Sequence, residues 1–110
     1  MTKQAGPGTP DGPPLRFRFD PSTRRLTLTG ELDFDNGAVL AAAIGAIHGR
    51  DPGPITVDLH DMQFTDAASV TLFLASCKAL NGQGVPILIA GATPSARRAC
   101  HMAGLDALLA

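Results

Sequence analysis

The strongest constraint on the fold is a change in the spacing of the apolar residues close to residue 36. Before this point leucine and phenylalanine alternate with polar residues, first in LRFRFD (15–20) and then in LTLTGELDF (26–34). Alternation with a period of two is typical of a β-strand that buries one of its faces. A turn-forming segment with Pro21 separates the two runs, so the pattern predicts an antiparallel hairpin.

After residue 36 the apolar residues recur every three or four positions, which is the spacing of an amphipathic helix. Asp35 or Asn36 is predicted to cap the start of this helix, and Gly49 is predicted to end it. The apolar residues expected on its buried stripe are Val39, Leu40, Ala43, Ile44 and Ile47.

The next part of the chain has a strand pattern followed by a helix pattern. ITVDL (55–59) is an apolar, β-branched run that is long enough for a buried strand and too short for a helix. The helix is predicted to begin near Ala67 and to end at NGQG (81–84). Its buried stripe is predicted to contain Val70, Phe73, Leu74, Cys77 and Leu80.

A second strand and helix follow. VPILIA (85–90) is predicted to be a strand, and Pro86 indicates an edge position or the first residue of pairing. Thr93 and Pro94 are suited to the N-cap and first position of a helix that runs from Ser95 to about Gly104, before a short amphipathic tail, LDALLA. The order β-β-α-β-α-β-α predicts an α/β fold with a mixed sheet covered by helices on one or both faces.

Composition limits the domain organisation and the classes of partner. The Pro/Gly-rich residues 1–14 are predicted to be a disordered leader, and residues 15–110 are predicted to form one domain. The net charge is -1 and the chain has no Trp or Tyr, which disfavours direct nucleic-acid binding. Since no apolar run reaches the length of a membrane span and no signal-peptide pattern is present, we expect a cytoplasmic protein without membrane insertion.

Few residues are suited to enzyme chemistry. No glycine-rich nucleotide-binding motif occurs at a strand–helix junction. DLHD (58–61) groups two carboxylates with His60 but lacks further ligands, so we interpret it as an exposed polar loop and expect no metal or cofactor. His101 is adjacent to Cys100 but points about 100° away from it on a helix, and both Cys77 and Cys100 are expected to be reduced and buried. We therefore expect no enzymatic activity.

The strand ends contain the remaining candidate residues. Asp33 follows the second strand, and Asp66 lies in the corner FTDAAS (64–69) between the third strand and the second helix. Ligands and partners of open α/β sheets gather outside the carboxyl ends of the strands, where these two acids would face each other. Asp66 is equally suited to cap the helix, and the two roles are compatible.

These motifs give the chain a resemblance to the STAS domain family, which includes the anti-sigma factor antagonists of bacteria. The resemblance covers residues 15 to about 107. It rests on the order of the elements and on three segments, LTLTGELDFDNGAVLAAAI, ITVDLHDMQFTDAAS and VPILIAGATPSARRACHMAGL. In that family the corner usually reads aspartate-serine-serine-glycine. The resemblance implies a partner-switching protein that binds an anti-sigma factor which is itself a serine kinase, and phosphorylation of the first serine breaks the complex.

The chain departs from this pattern at the residue that would carry the phosphate. Asp66 matches the family aspartate, but Ala67 replaces the phosphoacceptor serine, Ala68 replaces the second serine, and Ser69 replaces the glycine. Alanine has no hydroxyl group, so phosphorylation at position 67 is chemically impossible. The favoured interpretation is an antagonist that binds its anti-sigma factor without being switched off.

Other interpretations remain open. In one alternative, Thr65 or Ser69 serves as a displaced phosphoacceptor. In another, the domain is a STAS subunit of a sensory scaffold or a lipid-transport complex. A small-molecule binder would instead hold an anion or nucleotide with Arg97 or Arg98. The apolar tail leaves room for a homodimer. The predicted partner-contact residues are Asp33, Thr65, Asp66, Ala67, Ala68, Ser69 and Thr93.

Overall fold

The computed structural model describes residues 14–33, 36–64 and 67–110. Thr65, Asp66, Asp35 and almost all of the predicted leader lie outside the described residues. The elements are β1 (Arg16–Asp20), β2 (Arg25–Leu32), α1 (Gly37–Arg50), β3 (Ile55–Phe64), α2 (Ala67–Gly82), β4 (Ile87–Ala90), α3 (Pro94–Met102) and a 3₁₀ turn (Asp106–Leu108).

The four strands form one mixed sheet in the order β1-β2-β3-β4. β1 pairs with β2 antiparallel as a hairpin, whereas β2 with β3 and β3 with β4 pair parallel. The predicted fold class and the predicted order of elements are therefore confirmed. β4 lies at an edge of the sheet, as Pro86 indicated.

The apolar core lies on one face of this sheet. Leu26, Leu28 and Leu32 of β2 are buried, while Thr27 and Thr29 between them face the other side and keep partial solvent exposure. Burial of each leucine stabilises the fold by about 1.5–3 kcal/mol. The same core cluster takes in buried residues of all three helices, so of the two predicted arrangements the described residues show helices on one face. We call the opposite face of the sheet the open face.

β3 is longer than predicted, because the polar segment after ITVDL is part of the strand. Between the pairs Thr27–Asp58 and Thr29–Asp61 the register with β2 shifts, which accommodates one extra residue of β3 as a bulge. The Oδ1 atom of Asp58 accepts a hydrogen bond of 2.9 Å from the His60 N–H across this bulge. The interpretation of DLHD as a loop after the strand was wrong, since the bulge interrupts the alternation without ending the pairing.

α1 follows its predicted pattern with three corrections. Val39 is 58% exposed and does not belong to the buried stripe, and Gly49 lies inside the helix, which ends at Arg50. Asn36 occupies the N-cap position, but its side chain makes no capping hydrogen bond to the helix. Its amide instead accepts from the Asp33 N–H at 2.9 Å and donates to the Glu31 carbonyl at 3.0 Å. Asn36 therefore fixes the connection between β2 and α1.

α2 and α3 begin and end close to the predicted positions. In α2, Phe73, Leu74, Cys77 and Leu80 are buried and Val70 is partly buried against them. The hydroxyl of Thr93 accepts a hydrogen bond from the Ala96 N–H at 3.1 Å, and Pro94 occupies the first turn, which confirms the predicted N-cap.

The tail completes the outer side of β4. Leu108 is buried, and Leu109 forms a parallel bridge with Ile89. The Ala110 N–H donates to the Ile89 carbonyl at 2.8 Å. The apolar side chains of the tail thus pack against the core instead of remaining available for self-association.

Gly30 of β2 is required by the close approach of the chain that enters β1. Its φ angle is +91°, a conformation that residues with a Cβ atom rarely adopt. A Cβ atom at this position would overlap with the carbonyl group of Pro14. The close approach of Pro14 to β2 therefore requires a glycine at position 30.

Replacement of Gly30 by alanine is expected to lower the free energy of unfolding by about 2 kcal/mol or more, through backbone strain and the overlap with Pro14. Gly45 is a matched control, because it lies in α1 and an added Cβ would meet no atom within 4 Å apart from its chain neighbours and the nearby backbone of its own helix. Gly45→Ala is expected to stabilise the protein by about 0.5–1 kcal/mol. Urea unfolding of both variants measures the difference, and equal effects at the two sites would contradict this account of Gly30.

Candidate functional site

The corner identified in the sequence lies at the carboxyl ends of two neighbouring strands. The parallel register places Leu32 beside Phe64, so β2 and β3 end at the same level. β4 ends at Ala90, beside Asp58, and β3 therefore extends well beyond it. This leaves space next to the last residues of β3, between the starts of α2 and α3.

A shallow concavity of about 360 Å³ occupies this space. It joins the end of β3, the first turn of α2 and the first turn of α3, three segments that are distant in the sequence. Its lining residues are Met62, Gln63, Phe64, Ala67, Val70, Thr93 and Ser95. Among the described lining residues no side chain is charged, and this part of the concavity is suited to an apolar side chain of a partner with hydrogen bonds at its rim.

Two local interactions hold the walls of the concavity in place. The rings of Phe64 and Phe73 pack in a tilted arrangement with centroids 5.6 Å apart, which joins the end of β3 to α2. On the other side, the N-cap hydrogen bond of Thr93 fixes the start of α3. An N-cap of this kind stabilises a helix by about 1 kcal/mol.

The two alanines of the corner lie at the surface. Ala67 is the first residue of α2, and both Ala67 and Ala68 are exposed. Thr71, one turn further, is also exposed, and its hydroxyl donates to the Ala67 carbonyl at 3.1 Å. The start of α2 therefore presents two methyl groups beside the concavity. We call Ala67, Ala68 and the residues lining the concavity the α2-start surface.

Ser69 is not part of this surface. Its relative solvent exposure is 0%, in contrast to that of the two alanines before it. A residue at this position needs a small side chain, because it lies in the packed interior under the first turn of α2. The serine therefore has the same size requirement as the glycine that it replaces in the family pattern.

Asp33 has a structural role at the end of β2. Its Oδ1 atom accepts a hydrogen bond of 2.9 Å from the Asn36 N–H, while the Asp33 N–H donates to the side chain of Asn36. This reciprocal pair closes the turn between β2 and α1. Asp33 lies at the same end of the sheet as the α2-start surface but does not line the concavity.

The structure thus brings together some of the predicted contact residues and separates others. Ala67 and Thr93 line the same concavity, and Ala68 is exposed beside it. Thr65 and Asp66 lie outside the described residues. The lining residues that sequence reasoning missed are Met62, Gln63, Phe64, Val70 and Ser95. A longer predicted β3 would have indicated the first three of them.

The other candidate groups are engaged in packing or exposed separately. Cys77 and Cys100 are free and buried, as predicted, and burial raises the pKa of both thiols, to about 12 for Cys77. His101 is exposed and lies 3.2 Å from the carboxylate of Asp106. Among residues 14–33, 36–64 and 67–110, no group of three or more His, Cys, Asp or Glu side chains is arranged to hold a metal ion.

Comparison with known proteins identifies the family. The family model described as "Mlab, STAS domain" matches residues 15–110. The chain therefore belongs to the STAS domain family.

One relative of the chain is named as an anti-sigma factor antagonist. The chain is 28% identical over 81 residues to the anti-sigma-F factor antagonist RsfB of Mycobacterium tuberculosis. The match covers 74% of the chain, and the chain spans 66% of the length of that relative.

Two solved structures share the fold. The Bacillus cell fate determinant SpoIIAA in its phosphorylated form has a TM-score of 0.60 at 20% identity, covering 88% of the chain and 89% of SpoIIAA. The anti-sigma factor antagonist SpoIIAA in its unphosphorylated form has a TM-score of 0.60 at 23% identity, covering 86% of each chain.

In the described part of the chain, no helix is both long and apolar enough to cross a membrane.

Asp58 supports the bulge that precedes the concavity. Burial tends to raise the pKa of its carboxyl group, but the His60 N–H and the Arg25 guanidinium, at 3.0 Å, together lower that pKa below its ordinary value. A carboxylate with a lowered folded-state pKa stabilises the fold above its unfolded pKa, and this stabilisation is lost as pH falls through the folded-state value.

Asp58→Asn is expected to lower the free energy of unfolding at neutral pH by about 1 kcal/mol, because the charged contacts with Arg25 and His60 are weakened. The difference from the wild type should shrink as the pH is lowered through the folded-state pKa. Denaturant unfolding across this pH range measures the effect. Asp61→Asn is the control, since the Asp61 side chain is 64% exposed and little change is expected. A pH-independent difference for Asp58→Asn would contradict this role of the carboxylate.

Proposed function

We propose that the protein is an anti-sigma factor antagonist that binds an anti-sigma factor through the α2-start surface and is not switched off by phosphorylation at position 67. The family and the name of the M. tuberculosis relative support the regulatory class. The geometry supports the location, because the start of α2 combines exposed small side chains with a concavity whose described lining residues carry no charge.

The observation that carries the proposal is the exposed methyl group of Ala67. A phosphoserine adds about 1.5–2 negative charges and a bulky group at neutral pH. At the first residue of α2, next to the concavity, such a group would lie within the proposed contact and would require desolvation when the partner binds. Alanine keeps position 67 small and uncharged, so the affinity for the partner persists whether or not a kinase is active.

The burial of Ser69 supports the same conclusion. A kinase must reach the hydroxyl group of its substrate, and the side chain of Ser69 has no solvent exposure. Phosphorylation of Ser69 would require the first turn of α2 to unfold. A displaced acceptor at Ser69 is therefore disfavoured.

The described lining residues of the concavity disfavour the alternative anion-binding function. Arg97 and Arg98 are exposed on α3, and neither lines the concavity. A nucleotide or phosphate would find no cationic side chain among the lining residues that the structure describes. A protein partner with an apolar side chain is the better match to this surface.

The first test changes the charge of the α2-start surface. Ala67→Glu is expected to weaken binding of the anti-sigma factor by about 10- to 100-fold, because a buried unpaired carboxylate is costly. Stability should change little, since an acidic residue is favourable at a helix N-terminus. Isothermal titration calorimetry with the anti-sigma factor from the same organism measures the affinity.

Ala75→Glu is the matched control for this test. Ala75 is also exposed on α2, about 12 Å further along the helix at its 1.5 Å rise per residue. The control is expected to bind like the wild type. Equal affinities for the wild type and Ala67→Glu would rule out this surface. Failure of the wild type to bind any anti-sigma factor, together with capture of a subunit of another assembly, would reject the antagonist function.

The second test restores the missing hydroxyl group. In the presence of ATP, Ala67→Ser is expected to be phosphorylated by a kinase-type anti-sigma factor. The phosphorylated variant should then dissociate from the anti-sigma factor, whereas the wild type stays unmodified and bound. Ala75→Ser controls for non-specific phosphorylation. Intact-mass and peptide mass spectrometry locate the phosphate, and modification of the wild type with loss of the partner would overturn the proposed constitutive binding.

A further inference from the structure

The two edges of the sheet differ in how they are covered. At β4, the bridge of Leu109 to Ile89 and the hydrogen bond from Ala110 pair the outer side of the strand. β1 pairs with β2 along one side, and no other described strand lies along its outer side. An edge strand of this kind presents backbone N–H and C=O groups that can pair with a strand of another chain.

We propose that β1 pairs antiparallel with β1 of a second copy of this chain, with Arg18 on the two-fold axis. The sequence of β1, RFRFD, is complementary to itself in this register. Arg16 lies opposite Asp20 of the second copy, and Phe17 lies opposite Phe19. Each contact occurs twice, because a two-fold interface uses the same surface of both copies.

The register of β1 with β2 sorts these contacts onto the two faces of the sheet. Phe17 pairs with Leu28 and Phe19 with Leu26, which places both rings on the helix-covered face. Arg16, Arg18 and Asp20 alternate with them and lie on the open face. The dimer would therefore join aromatic side chains on one face and opposite charges on the other.

Phe17 is the apolar side chain that this pairing would cover. It belongs to the core-facing side of β1 yet keeps 38% of its surface exposed. Phe19 is partly buried, and the Arg24 guanidinium lies 5.6 Å from its ring centroid. In the paired arrangement Phe19 of one copy would pack beside Phe17 of the other, and cross-strand aromatic pairs stabilise sheets.

The charges of β1 are available for contacts between copies. Arg16 and Arg18 are exposed, and neither forms an ion pair with another described residue. Asp20 is an exposed carboxylate whose Oδ1 atom accepts hydrogen bonds from Ser22. Arg18 opposes its own copy, and this repulsion should keep the association weak and concentration-dependent.

This dimer goes beyond the proposed function and does not depend on it. β1 lies at the edge of the sheet, separated from β3 by β2, and contributes no residue to the α2-start surface. Pairing through β1 would therefore leave two α2-start surfaces exposed, one on each copy, and the dimer could bind two partner molecules.

The decisive experiment is sedimentation equilibrium of the full chain with reversed charges. The wild type is expected to self-associate reversibly, and Arg16→Asp and Asp20→Arg are each expected to weaken association at least tenfold. An equimolar mixture of the two variants should dimerise about as well as the wild type, because both 16–20 pairs then join opposite charges and the Arg18–Arg18 pair is unchanged. A wild type that stays monomeric to millimolar concentration, or variants that dimerise as well alone as mixed, would overturn the proposal.

A second measurement tests the register and remains informative if a charge reversal disturbs folding. Arg18→Thr is expected to strengthen dimerisation by removing the repulsion on the axis, whereas Arg50→Thr, at the exposed end of α1, should leave it unchanged. Arg18→Cys should form an oxidised dimer readily, since opposed Cβ atoms lie about 4.5–5.5 Å apart. Weaker association of Arg18→Thr, or no disulfide at position 18, would reject this register.

Discussion

The parallel pairing of β2 with β3, interrupted by one bulge, is the constraint on which the rest of the structure depends. Before the bulge Ile55, Val57 and Leu59 face the core, and after it the even-numbered Met62 does so. An uninterrupted strand would place Met62 on the open face, because side chains alternate strictly along a strand. The bulge therefore determines both the continuity of the core and the side chains that border the concavity at the end of β3.

Several weak interactions maintain this arrangement together. Asp58 holds the bulge through His60 and is paired with Arg25 of β2. Gly91, with a φ angle of +68°, allows the end of β4 to approach this segment, since an added Cβ would lie 2.8 Å from the Asp58 carboxylate and from the His60 nitrogen. The acidic and histidine residues that resemble a ligand cluster in the sequence are thus part of the support for the segment of β3 that leads to the concavity.

Sequence reasoning recovered the features that depend on local patterns. The hairpin, the helices and the cap at Thr93 follow from the spacing of apolar residues and from the chemistry of one side chain. The full length of β3 was missed because two exposed residues in succession, His60 and Asp61, look like the end of a strand. The concavity was missed because it joins Phe64 to Ser95 across about 30 positions of sequence, and only the packed sheet brings them together.

The different environments of positions 67 and 69 separate two kinds of constraint within a single helical turn. Position 69 is enclosed, so the protein interior limits which residues evolution can accept there. Position 67 is open to solvent, so an oxygen atom can be gained or lost there with little consequence for folding. Under the proposed function, responsiveness to a kinase is therefore a property that a lineage can acquire or discard by one substitution, while the architecture that presents it stays the same.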